Sequence, residues 1–65
     1  EVTGLSLREP TATSPEFLVV VRGFDGEGGP VVGFHSALTP SEALAGAAER
    51  VANGTINWKP DAYRK

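Results

Sequence analysis

The stretch EFLVVVRGFDGEGGPVVGFHSALTPSEALAGAAERVANG, residues 16–54, decides the fold: two strand-like segments flank a glycine-rich turn, and one capped helix follows. Glu16 to Phe24 packs apolar and β-branched residues so densely that it suits a strand buried on both faces better than a solvated edge. Asp25 to Pro30 supplies glycines wherever a turn needs positive φ, and Val31 to Leu38 returns as the second arm of a hairpin. The parity of the loop sets which side chains share a face, because a one-residue slip turns every side chain over. An even loop places Phe17, Val19 and Val21 with Val32, Phe34 and Leu38 on an almost wholly apolar core face. The opposite face then carries Leu18, Val20, Arg22 and Phe24 beside Val31, Gly33, His35 and Ala37. An odd loop sets Val19 and Val21 beside Gly33 and His35, a poorer segregation, so the even register is expected.

The helix carries the strongest local signals. Thr39-Pro40-Ser41-Glu42 offers a hydroxyl N-cap, proline at the first helical position and a glutamate three residues on, the pattern of a capping box. Leu44, Ala47, Ala48 and Val51 recur at helical spacing and form an apolar stripe that would cover the core face of the sheet. Asn53-Gly54 supplies a left-handed stop. Gly46 falls on the far side of the helix in this reading, where it costs ~1 kcal/mol relative to alanine unless it lets a partner approach.

The flanks are less regular. Val2 to Arg8 reads as a first strand with Leu5 and Leu7 on one side, and Glu9 to Pro15 holds prolines and hydroxyl residues typical of a loop. After the helix, Ile56 and Trp58 alternate with Thr55 and Asn57 as a short strand or extended arm, which Pro60 should end. Tyr63, Arg64 and Lys65 close the chain with aromatic and basic character.

Composition bounds the function. A chain of 65 residues makes one domain, and at that size it buries only ~60% of its extended surface. There is no cysteine for a disulfide framework, and a single histidine cannot build an all-protein zinc cage. The formal charge of −2 argues against a general electrostatic grip on nucleic acid or an anionic membrane. No apolar run approaches the ~20 residues that span a bilayer, and no charged-then-apolar leader opens the chain, so a cytoplasmic location is expected. The first residue is Glu1 rather than methionine, and statements about missing motifs apply to these residues alone.

Each candidate site has a plainer explanation. His35 could act as a base or pH switch, yet no second histidine, cysteine or nearby carboxylate accompanies it, which favours a structural or surface role. Asp25 and Glu27 lack the alternating oxygen ligands and distal glutamate of an EF-hand, and the same glycines precede neither a lysine-threonine pair nor a helix. Asn53-Gly54-Thr55 matches a glycosylation sequon but is better explained as the helix cap. What survives is surface. The outer sheet face and the Trp58 arm form one candidate interface, comprising Leu18, Val20, Arg22, Phe24, His35 and Trp58. The tail forms the other, in which Lys59, Tyr63, Arg64 and Lys65 interleave with Trp58 as single-stranded nucleic-acid binders require.

The hairpin leading into Thr39-Pro40-Ser41-Glu42-Ala43-Leu44 resembles the hairpin-to-helix segment of HicB-type antitoxin domains, which place a Thr-x-x-Glu-Ala-Leu stretch after a strand. The proline-leucine-proline-glycine-cysteine stretch typical of those domains is missing here, and the resemblance implies an antitoxin-like role as one alternative. The closing pattern from Ala43-Leu44 through Asn53-Gly54-Thr55-Ile56-Asn57-Trp58-Lys59-Pro60-Asp61 is similar to short uncharacterised proteins of actinobacteria and their phages, a resemblance that implies no activity.

The expectation is therefore a single α+β domain: a small three-stranded antiparallel sheet in β-β-β-α order, one helix on one face, and an extended C-terminal arm. Its parts are residues 1–15 (strand and loop), 16–38 (hairpin), 39–54 (helix) and 55–65 (arm). The leading functional expectation is a non-enzymatic interaction or regulatory module that associates with a protein partner or with itself as a homo-oligomer, through the outer sheet face or an edge strand. Nucleic-acid binding through the arm is the runner-up. No catalytic residue, cofactor, metal or membrane contact is expected.

Overall fold

The computed structural model describes residues 1–61. The elements in chain order are β1 (Val2–Arg8), β2 (Phe17–Phe24), β3 (Pro30–Ala37), α1 (Pro40–Ala52) and β4 (Lys59–Pro60). The strands form one antiparallel sheet in the order β1-β2-β3-β4, with α1 packed across β2 and β3. The α+β class and the helix on one face agree with expectation, but the sheet has four strands rather than three. The fourth arises because Lys59 and Pro60 of the arm pair with Val32 and Val31 on the free side of β3.

Pro60 does not end this pairing, because its position makes no demand on its nitrogen. Asp61 donates its N–H to the Pro30 carbonyl at 3.0 Å. In an antiparallel ladder bonded and non-bonded pairs alternate, so Lys59 with Val32 is a bonded pair and Pro60 with Val31 is not. The missing N–H of Pro60 therefore points away from β3, where proline is tolerated.

The hairpin loop is odd, which corrects the expected register. Phe24 pairs with Pro30 and leaves Asp25 to Gly29 in the connection. The Asp25 carbonyl accepts from the Gly28 N–H at 3.1 Å, and the Asp25 N–H donates to the Gly29 carbonyl at 2.9 Å. Oδ1 of Asp25 accepts further bonds from the N–H groups of Glu27 and Gly29. Gly28 sits at φ 81°, in the left-handed region that a side chain resists. An aspartate opening a turn, with a left-handed glycine three residues on, is the chemistry of a three-residue loop closed by a bulge.

With that loop, Phe17, Val19, Val21 and Gly23 stand opposite Ala37, His35, Gly33 and Val31. This face meets α1. Val19, Val21, Ala43, Ala47 and Ile56 form the core, with Phe17, Ala37 and Val51 packed against it. Val32, Phe34 and Leu38, expected in the core, are not there: Val32 and Phe34 lie on the opposite face, and Leu38 is exposed just after β3 ends. Val19 and Val21 are the largest fully buried side chains among the described residues, and fully burying a valine contributes about 1.5–3 kcal/mol.

Two glycines let the odd register pack. A Cβ on Gly33 would lie 2.8 Å from Cδ1 and 2.9 Å from Cγ1 of Ile56, so the isoleucine tip fills the glycine's place. A Cβ on Gly46 would overlap the His35 ring. Gly46 thus faces β3 rather than solvent, and the close neighbour it admits is a residue of its own chain. The helix is rotated accordingly: Ala43 and Ala47 are fully buried, whereas Leu44 from the expected stripe is partly exposed. Small residues at 43, 46 and 47 bring the helix down onto a sheet that already carries an imidazole.

Both helix ends follow the local signals. The Glu42 N–H donates to Thr39 Oγ1 at 3.2 Å, while the Thr39 hydroxyl donates to Glu42 Oε1 at 2.9 Å, so the reciprocal contact runs between side chains. At the other end the Thr55 N–H donates to the Arg50 carbonyl and the Gly54 N–H to the Val51 carbonyl, with Gly54 at φ 71°. These are the paired bonds of a Schellman motif.

Candidate interaction surface

The face of the sheet turned away from α1 is set by the same register. Leu18, Val20, Arg22 and Phe24 of β2 point there, opposite Ser36, Phe34, Val32 and Pro30 of β3. From β1 come Arg8, Ser6 and Gly4, opposite Leu18, Val20 and Arg22. Lys59, paired with Val32, joins them from β4. Val20 is buried although no helix covers it, flanked by Phe34 and Ser6 across the two ladders. Phe34 itself remains 48% exposed.

Of the residues expected at this surface, Leu18, Val20, Arg22 and Phe24 share it. His35 does not: it pairs with Val19 and faces Gly46 on the helix side. Trp58 is also displaced, since its Cε3 lies 3.5 Å from a Cβ built on Gly33, on the helix side of β3. The tryptophan therefore borders the core instead of folding over the outer face. Of the tail residues expected to contact nucleic acid, Lys59 is exposed on the outer face, while Tyr63, Arg64 and Lys65 lie outside the described residues.

Three residues of this face escaped the sequence reading. Arg8 and Phe34 were missed because their sides depend on pairings that composition does not show. Asp61 was missed because nothing in its neighbours marks it as buried. It is only 7% exposed, and its Oδ2 lies 3.5 Å from Arg22 Nε, a charge contact longer than a hydrogen bond. Oδ2 accepts no hydrogen bond from the described residues. The pair links the residue just after β4, across β3, to the C-terminal half of β2.

The helix side offers a shallow depression of about 430 Å³ lined by His35, Gly46, Glu49, Arg50, Asn53 and Thr55. Among the described residues no group of three His, Asp or Glu side chains could hold a metal ion, and no helix is long and apolar enough to cross a membrane. Comparison with protein-family models, with curated proteins and with solved structures found no match to this chain.

Proposed function

We propose that this chain is a non-enzymatic interaction module that self-associates, with its sheet rather than its helix as the working surface. The supporting observation is one-sided coverage among the described residues. The single helix packs on one face of the sheet, and the other face holds Leu18, Val32 and a 48% exposed Phe34 side by side. An apolar group of this kind on so small a domain is a surface for association. Sedimentation across protein concentration tests the reading, and a strict monomer at millimolar protein would sink it.

A second reading rests on a separate observation: Arg8, Arg22 and Lys59 share the outer face with Phe34, although the chain as a whole is acidic. Cations around an exposed ring suit the backbone and bases of single-stranded nucleic acid. Anisotropy of a labelled oligonucleotide at low salt, repeated at rising salt, decides this reading, since phosphate contacts weaken steeply with ionic strength. No binding at low salt removes it.

A further inference from the structure

Among the described residues strand β1 lies at the edge of the sheet, paired only with β2, and all 7 of its residues are exposed. The direction of its backbone groups follows from the ladder. The Glu1 nitrogen donates to the Phe24 carbonyl at 2.7 Å and the Phe24 N–H donates to the Glu1 carbonyl at 2.9 Å, so Phe24 bonds toward β1. By alternation Arg22, Val20 and Leu18 do likewise, opposite Gly4, Ser6 and Arg8. The Asp61 bond to Pro30 on the far side of β3 has the phase this alternation requires. Leu5 and Leu7 therefore direct their N–H and C=O groups outward, at the open edge. Their side chains stand on the helix side, where α1 covers β2 and β3, and they are 50% and 39% exposed.

Protected edges carry charges, prolines or bulges. Here a register shift between Val2 and Gly4 marks one end and Arg8 the other, leaving Gly4 to Leu7 without a guard. The unguarded segment is complementary to itself. Turned about a two-fold axis at Ser6, it sets Leu5 opposite Leu7 of the second copy, and the outward N–H and C=O groups of both find partners. The leucines of the two copies then meet on the helix side. Arg8 falls opposite Gly4 and Glu9 opposite Thr3, so no like charges face one another across the new ladder.

Resting on the self-association reading above, we propose that a second copy of this chain adds to β1 in this antiparallel register and makes one continuous sheet. The absence of cysteine from the sequence allows a clean test, because Ser6→Cys introduces the sole thiol. At a non-hydrogen-bonded pair on the axis the two Cα atoms would be about 4.5 Å apart, within disulfide reach. The control Arg8→Cys lies on the same strand face but about 13 Å from its copy, a four-residue offset at the strand rise, so it should not bridge. Circular dichroism confirms that each variant is folded. The expected result is an associating wild type, a disulfide-linked dimer for Ser6→Cys under mild oxidation and none for Arg8→Cys. Leu7→Pro, which deletes an outward N–H while sparing the ladder to β2, should weaken association about tenfold or more. Association without preferential bridging at Ser6 would overturn the edge register and leave self-association through the outer face. A wild type that stays monomeric would overturn both.

Discussion

The His35 imidazole of β3 occupies the space that a side chain on Gly46 of α1 would need, with a Cβ there falling 2.8 Å from Cδ2 of the ring. Glycine inside a helix ordinarily sacrifices ~1 kcal/mol relative to alanine. At this position the ring takes the benefit away. Gly46→Ala should therefore fail to stabilise the protein and lower its urea midpoint, whereas in a His35→Ser background the same change should raise stability by about 1 kcal/mol. A double-mutant cycle measures the coupling, and additive effects would mean that the two residues do not compete for space.

The Ile56 tip over Gly33 is the second such fit. Gly33→Val should destabilise by about 1–3 kcal/mol through overpacking, despite the better strand propensity of valine. In an Ile56→Ala background the same valine should cost less, because the shortened residue 56 reopens the space the valine needs. Ile56→Ala alone, at a site 6% exposed, should cost about 2–4 kcal/mol. Denaturant unfolding of the three variants checks all of these values.

In the hairpin, Asp25 Oδ1 accepts bonds from the N–H groups of Glu27 and Gly29. Asp25→Ala should lower stability by about 1–2 kcal/mol, and Asp25→Asn, which keeps the acceptor, by distinctly less. Gly28→Ala, forced to hold φ at 81°, should cost about 1 kcal/mol. Thermal unfolding resolves these differences. Equal losses for the alanine and asparagine variants at position 25 would remove the side-chain acceptor from the account.

Across the outer face, Arg22 is the nearest cation to the buried Asp61 carboxylate among the described residues. Because the arginine side chain is 46% exposed, its attraction is screened, and Arg22→Ala should cost about 1–2 kcal/mol. Asp61→Asn should be better tolerated in the Arg22→Ala background than in the parent chain, since the amide needs no counter-charge. Hydrogen exchange at the Asp61 amide, bonded to Pro30, reports whether β4 loosens with the pair.

Much of this architecture is legible in the sequence, and the rest fails for a definable reason. β1, β2, β3 and α1 follow from apolar density, turn residues and caps, all properties of neighbours along the chain. The register was misread because Gly33 and His35 look unfit for a core face until Ile56 and Gly46 are placed over them. Segregation by hydrophobicity treats a glycine as a gap, whereas here each glycine receives a large residue from a distant element. The loop itself held the decisive sign in Asp25 and Gly28, three positions apart. Trp58 and Asp61 were illegible for a related reason: their sides are fixed by β4, whose pairing depends on which way the Pro60 nitrogen points. The candidate surface inherits these limits, so Leu18, Val20, Arg22 and Phe24 were found together while Phe34 and Arg8 were not.

The orientation of Pro60 also limits how far such a sheet can grow. Its ring nitrogen, turned outward from β4, offers an arriving strand no donor, while the opposite margin at β1 presents free backbone at Leu5 and Leu7. A sheet with one receptive margin and one blunted by proline differs from a sheet open on both sides. Two copies that meet along β1 use up the receptive margin of each, and the outer strands of the pair are then both β4. In the proposed pair, growth of the sheet by strand addition would therefore stop at two copies.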